Sequence, residues 1–152
     1  MKRTRFEDAP CPIARTTDLM GDWWTPMVMR EAFLGRRRFE DFQKALSMSR
    51  GILSKRLARL VEEGMLEKHA YEDRPPRFEY LLTEKGRAFY PVLAAMWRFG
   101  EDWLWEEGGQ PPVQIFDRES GAPVEPRVID EKTGRPIDVR QVRLGLRETK
   151  IE

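Results

Sequence analysis

SMSRGILSKRLARLVEEG, residues Ser47–Gly64, is the stretch that decides the fold. Wound as a helix, it puts Leu53, Leu57, Leu60 and Val61 within one quarter of the surface, with Lys55 and Arg59 near the opposite side. Arg50 and Ser54 lie on the shoulder by the helix start. Ser47 and Ser49 both suit the N-cap, where a hydroxyl accepts an otherwise orphaned backbone N–H. Gly64 suits the C-terminal stop. A shorter amphipathic stretch, Phe39–Leu46, precedes it at the spacing of a helix-turn-helix. A surface helix with solvated cations would fit these residues equally well, so the residues after Gly64 carry the decision.

Residues 65–86 read MLEKHAYEDRPPRFEYLLTEKG. Leu66–Tyr71 and Arg77–Leu82 read as strands. Glu72–Pro76 reads as the turn between them, with Pro75 and Pro76 kept out of the ladder because neither has an N–H to give. Thr83 then caps a new helix. Helix, turn, helix, hairpin, helix is the order of a winged helix.

On these residues the chain resembles the HxlR-type group of bacterial winged-helix transcription regulators, relatives of the MarR group. The matching positions are Cys11-Pro12, Trp24, Arg38-Phe39, Leu53, Arg56-Leu57, Leu60, Gly64, Pro75-Pro76-Arg77, Glu79-Tyr80, Leu82-Thr83 and Gly86. The resemblance covers roughly residues 10–107, and it is the combined spacing of these positions that is specific. The expected fold class is mainly α with small β (α+β): a winged helix-turn-helix with a long C-terminal dimerisation helix, plus a small β-hairpin appendage. The expected domains are 10–108 for DNA binding and dimerisation and 109–145 for the β-rich, ribbon-like module.

Composition narrows the class. The 152 residues are 40% hydrophobic, enough for one ordinary core, and 35% charged. A net charge of +1 does not by itself point to nucleic acid. The distribution does: Arg36–Arg77 holds 11 Lys/Arg against 7 Asp/Glu, whereas Glu84–Glu107 holds 3 against 5. The single cysteine precludes an internal disulfide and suits a reducing compartment. With no apolar run near ~20 residues and no signal-peptide core, the expected location is the cytoplasm, with no membrane partner.

In chain order, residues 1–10 read as a loose arm and Cys11–Met20 as a first helix, with Pro12 in its first turn. Cys11 has two readings: a redox sensor, as the resemblance implies for some members of the group, or a half-buried cysteine with no sensing role. A sensor needs a thiolate, and Arg15 would favour one. Trp23–Leu34 is the next helix, with Trp24, Met27, Val28, Ala32 and Phe33 mostly core. Arg36, Arg37 and Arg38 lead into the motif, where a phosphate backbone passes in related folds. Ala45, Leu46 and Met48 should pack beneath the second helix of the motif. His69 reads as a strand residue, not a ligand. Thr83–Glu107 reads as a long helix kinked or restarted at Pro91. Its stripe Phe89, Val92, Met96, Phe99, Trp103 and a second stripe, Tyr90, Leu93, Trp97, Leu104, call for two partners: its own domain and the same helix of a second subunit.

The extension repeats itself: DRESGAPVEPR (117–127) aligns with DEKTGRPIDVR (130–140). The resemblance implies a zinc-ribbon-like fold here, since some longer members of the group carry two Cys-x-x-Cys-Gly knuckles. In this chain the thiolate positions read Asp117, Ser120, Asp130 and Thr133, so no zinc and no other cofactor or metal is expected. Gly121 and Gly134 should adopt positive φ. Val113–Phe116, Val124–Ile129 and Ile137–Val142 should form a small sheet, with Val113, Ile115, Phe116, Val124, Val128, Ile129, Ile137 and Val139 closing a core against the long helix or the partner subunit, because about 30 residues bury too little alone.

The functional expectation is a DNA-binding regulator, a repressor, reading a pseudo-palindromic operator as a homodimer. Ser49, Arg50, Ser54, Lys55 and Arg59 would serve the major groove. Arg74 and Arg77 on the wing would reach a minor groove or a phosphate. A small aromatic effector would fit among Trp23, Trp24, Met27, Trp97 and Trp103; the competing switch is oxidation of Cys11. An enzyme finds little support, with one His, one Cys and no nucleophile elbow or phosphate-binding glycine loop. A winged-helix protein-interaction module without DNA binding is the alternative; the cations of the second motif helix argue against it.

Overall fold

Leu53, Leu57 and Leu60 are fully buried, and the first half of the chain is organised around them. The computed structural model describes residues 5–105, 109 and 111–145, in two compact units, Met1–Leu93 and Ala94–Glu152. The elements are α1 (Pro12–Met20), α2 (Trp24–Phe33), α3 (Phe39–Leu46), α4 (Arg50–Glu62), β1 (Leu66–Asp73), β2 (Pro76–Leu82), α5 (Glu84–Ala88) and α6 (Tyr90–Trp103). This is the expected winged helix-turn-helix. The sequence-based limits at 108 and 109 follow a change of composition, whereas the unit boundary falls within α6. The expected helix end at Glu107 lies outside the described residues.

Local chemistry sets the ends of the motif. Ser49 takes the N-cap of α4, its Oγ accepting from Ile52 N at 3.3 Å. Ser47 instead ends α3 in the left-handed region, at φ 50°. Gly64, at φ 68°, lets the chain turn so that Met65 N donates to Leu60 O at 2.9 Å. Asp22 caps α2, accepting from Trp24 N at 3.0 Å.

Val28 and Met29 of α2, Phe42 and Leu46 of α3, the three leucines of α4, Met65, Leu66 and Phe89 close one core. Met48 joins them. Ala45, expected beneath α4, is exposed: Phe42 and Leu46 define the inner face of α3, and Ala45 lies on its flank. Glu31 is a buried carboxylate at 2% exposure, held by Arg30 Nη2 and Arg36 Nε at 2.5 Å each. Burial alone would raise its pKa, but hydrogen bonds and charge from both arginines more than offset this and hold it below the ordinary value.

The wing is antiparallel from Leu66↔Leu82 to Asp73↔Pro76. Pro76 therefore belongs to the ladder, contrary to expectation. As the first residue of β2 it sits where a missing N–H is tolerated, which leaves Arg74-Pro75 as the tip. Pairing skips from Ala70↔Phe78 to Glu72↔Arg77, so Tyr71 is bulged out. Arg38 bridges to Glu79, and Tyr80 N donates to Arg37 O at 2.8 Å, tacking the approach to α3 onto the sheet.

Thr83 Oγ1 accepts from Gly86 N at 3.0 Å and starts α5. The helix then restarts as α6, with Pro91, which lacks an N–H, in its first turn. Val92 and Leu93 pack on the core. Further along the same face Met96, Phe99 and Trp103 are exposed by 47%, 59% and 75%.

Within the second unit the repeat becomes two turns of like construction. Gly121 N donates to Asp117 O at 3.0 Å, and Gly134 N to Asp130 O at 2.8 Å. The two glycines have φ of 70° and 68°, as expected. The expected sheet is reduced to isolated bridges, Phe116↔Pro123 and Ile129↔Pro136, because each turn is followed by a proline without a donor. The expected core does not close within one chain. Ile115 and Val124 are half-buried, while Val113, Phe116, Val128, Ile129, Ile137 and Val139 are exposed.

Candidate nucleic-acid interface

The leucine face of α4 is spent on the core, which leaves Arg50, Gly51, Ile52, Ser54, Lys55 and Ala58 exposed. Ile52, at 43% exposure, and Ala58 are not reached by a sequence reading that searches for cations. An exposed apolar residue beside basic ones on this helix is the available signal, since thymine methyls are read by apolar contact.

Aromatic rings steady several of the cations. The Arg50 guanidinium lies over the Phe39 ring at 4.9 Å, and that of Arg38 over the ring of the bulged Tyr71 at 4.9 Å. Lys68 Nζ lies 4.0 Å from the centre of Phe78. Arg38, Phe39, Arg50, Ser54, Tyr71 and Tyr80 line a cleft of about 550 Å³ between the motif and the wing. Burial, helped by the charge of Glu40, pushes the Tyr80 phenol above its ordinary pKa. Arg37 is exposed, and Arg74 stands exposed on the wing tip. Arg77 is paired with Glu72 at 3.2 Å on the exposed hairpin.

Two of the expected contacts point elsewhere. Arg36 is engaged by the buried Glu31. Arg59 turns toward α1: its Nη2 lies 2.9 Å from Glu63 Oε1 and 3.6 Å from Asp18 Oδ2. Arg56 likewise pairs with Asp22. A helical projection treats every direction away from the leucines as solvent, and α1 occupies one of those directions.

The aromatic set divides between the units. Trp24 and Met27 pack on the core of the first, and Trp23 is 76% exposed. In the second, Trp97 Nε1 donates to Val113 O at 3.1 Å and Trp103 is exposed. Cys11 is an exposed thiol at the start of α1. Arg15, expected to favour its thiolate, gives its Nε to Ala9 O at 2.6 Å.

The knuckle positions do not suit zinc. Asp117 Oδ1 accepts from Ser120 N at 2.8 Å and Asp130 Oδ1 from Lys132 N at 3.0 Å. Ser120 Oγ accepts from Ala122 N at 3.3 Å and Thr133 Oγ1 from Arg135 N at 3.4 Å. These oxygens do the work of Asx- and ST-turns. Among the described residues no three His, Cys, Asp or Glu side chains gather to hold a metal ion.

Comparison with known proteins agrees with this geometry. A family model described as HxlR-like helix-turn-helix matches residues 19–108. The uncharacterized HTH-type transcriptional regulator Rv3095 of Mycobacterium tuberculosis is 36% identical over 138 residues, 91% of this chain and 85% of its own. The crystal structure of PA1607, described as a transcription factor, is similar with a TM-score of 0.84 at 37% identity, over 93% of this chain and 99% of that one. The redox regulator HypR in its reduced form is similar with a TM-score of 0.57 at 30% identity, over 60% of this chain and 92% of that one.

Proposed function

We propose, since this chain belongs to the HxlR-like helix-turn-helix family and is thus a DNA-binding transcriptional regulator, that it acts as a repressor and reads a pseudo-palindromic operator as a homodimer. The observation that carries this reading is the exposed face of α4. Arg50, Ser54 and Lys55 stand free of the core there, and Arg50 and Ser54 line the cleft that Arg38 borders. In the proposed assignment Ser54 and Lys55 read base edges, with Ile52 and Ala58 beside them for thymine methyls. Arg37, Arg38, Arg50 and the wing residues Arg74 and Arg77 hold phosphates, and Ser49 fixes the start of the helix. Arg36 and Arg59 are structural.

Lys55→Ala is expected to cost about 1–3 kcal/mol of operator affinity and to relax specificity at one base position. Arg50→Ala is expected to weaken all sequences alike and to lower the salt slope by about one. Duplexes selected from a random pool by the wild-type protein, titrated at several salt concentrations, would measure both. Unchanged affinity in both variants would favour the protein-interaction module instead.

The proposed site of action is the cytoplasm; no helix of the described residues is long and apolar enough to cross a membrane. Release from DNA is proposed to follow binding of a small aromatic ligand or oxidation of Cys11. The exposure of the Cys11 thiol supports the second, and HypR, a relative, is a redox regulator. Release by peroxide or a quinone should vanish in Cys11→Ser. A Cys11→Ser protein that still releases DNA on adding a small aromatic inducer would exclude the thiol.

A further inference from the structure

Two carboxylates of α1 and its C-terminal turn face two arginines of α4. Asp22 pairs with Arg56, and Asp18 with Arg59, which Glu63 also holds. Asp18 is 3% exposed. On each segment the two partners are about one turn apart, and they meet in opposite order, so the contacts form a two-rung ladder between antiparallel segments. The N-terminal arm joins the lower rung: Arg5 Nε lies 3.1 Å from the same Asp18 Oδ2 that Arg59 approaches, and Phe6 N donates to Asp18 Oδ1 at 3.1 Å.

Burial of the leucines beneath α4 is non-directional and does not by itself choose among neighbouring rolls or slides of the helix. Two ion pairs a turn apart, Arg56 with Asp22 and Arg59 with Asp18 at 3.6 Å, favour the pose that closes both over one rolled or slid away from it. Base readout needs donor and acceptor within hydrogen-bond tolerance, whereas attraction to phosphates does not.

We propose that Asp18 and Asp22 are positioning residues for DNA recognition: through Arg59 and Arg56 they set the pose in which α4 presents Ser54 and Lys55, and the arm contributes through Arg5. This rests on the assignment of α4 to the groove. The ladder serves sequence discrimination and leaves overall attraction to DNA untouched.

The test compares a duplex selected by the wild-type protein from a random pool with a scrambled duplex of the same length. Asp18→Asn and Asp22→Asn keep shape, and in the second the side-chain amide oxygen can still cap α2. Each is expected to lose about tenfold on the selected duplex and less than about twofold on the scrambled one, at temperatures well below melting. Asp18→Asn combined with Arg59→Gln should lose no more than the worse single variant, as expected for residues acting through each other. Arg5→Gln, on the exposed arm, should lose about threefold on the selected duplex alone. Equal losses on both duplexes, additive losses in the double variant, or an unchanged ratio in Arg5→Gln and Asp22→Asn would overturn the proposal. Should Lys55→Ala alter the ratio while the ladder variants do not, the groove assignment stands and the ladder falls. Should the wild type show no preference between duplexes, both fall.

Discussion

Replacing Gly86 by alanine should destabilise the protein by about 3 kcal/mol, at the upper end of what overpacking costs. The added Cβ would sit 2.1 Å from Met65 O and 3.2 Å from a methyl of Leu82. The first contact is with backbone, which cannot rotate out of the way. Met65 O already accepts from Thr83 N at 3.2 Å, and the single proton of Thr83 Oγ1 goes to Gly64 O at 2.5 Å, with Met65 O a second carbonyl 3.2 Å away. An alanine must push α5 off the start of β1 and open these bonds together. Urea unfolding should show a lower midpoint with an unchanged slope. A loss under about 1 kcal/mol would mean that this junction yields more easily than a packed interior should.

Phe99→Glu and Met96→Glu should each convert a dimer to a monomer and lower operator affinity by about 100-fold or more, because two half-sites would no longer be held by one linked pair of domains. Both side chains are exposed on α6, so in a chain that stays monomeric such substitutions should shift stability by no more than about 0.5 kcal/mol. The two outcomes differ greatly. Light scattering gives the mass, circular dichroism shows whether the helix persists, and a gel shift gives the affinity. A wild-type mass of one chain, or a glutamate variant that keeps both mass and affinity, would remove α6 from the proposed assembly.

The helix-turn-helix is legible in the sequence because its signals are local. The leucine period, the Ser49 cap and the Gly64 stop each act within a turn or two, and all agree. The wing is legible to within two residues: Glu72, Asp73 and Pro76, expected in the turn, belong to the ladder, and Pro76 can open a strand whose first position needs no donor. The fates of the arginines are not legible. A helical projection puts Lys55 and Arg59 on the same side of α4, and only the docking of α1 draws Arg56 and Arg59 inward. Arg36 escapes for a related reason: its partner Glu31 lies in a helix read by its apolar residues, where a buried carboxylate gives no periodic signal. In the extension, the turn geometry follows from residue type, with Asp, Ser or Thr, and Gly each supplying a known local function. Its burial does not, because alternating apolar residues show a capacity to pack without showing what they pack against.

The two knuckles of the extension close on themselves, and that changes how they come apart. In a metal ribbon one ion ties both loops, so they open together. Here each loop is held by bonds from its own Asp, Ser or Thr to its own backbone: Asp117 with Ser120 and Gly121, Asp130 with Thr133 and Gly134. Opening one therefore leaves the bonds of the other intact. The pair behaves as two small cooperative units in series, in which amide protons exchange by local fluctuation without waiting for global unfolding. A substitution in one repeat is thus felt by that repeat alone, so the two can diverge in sequence independently while the extension keeps its backbone form.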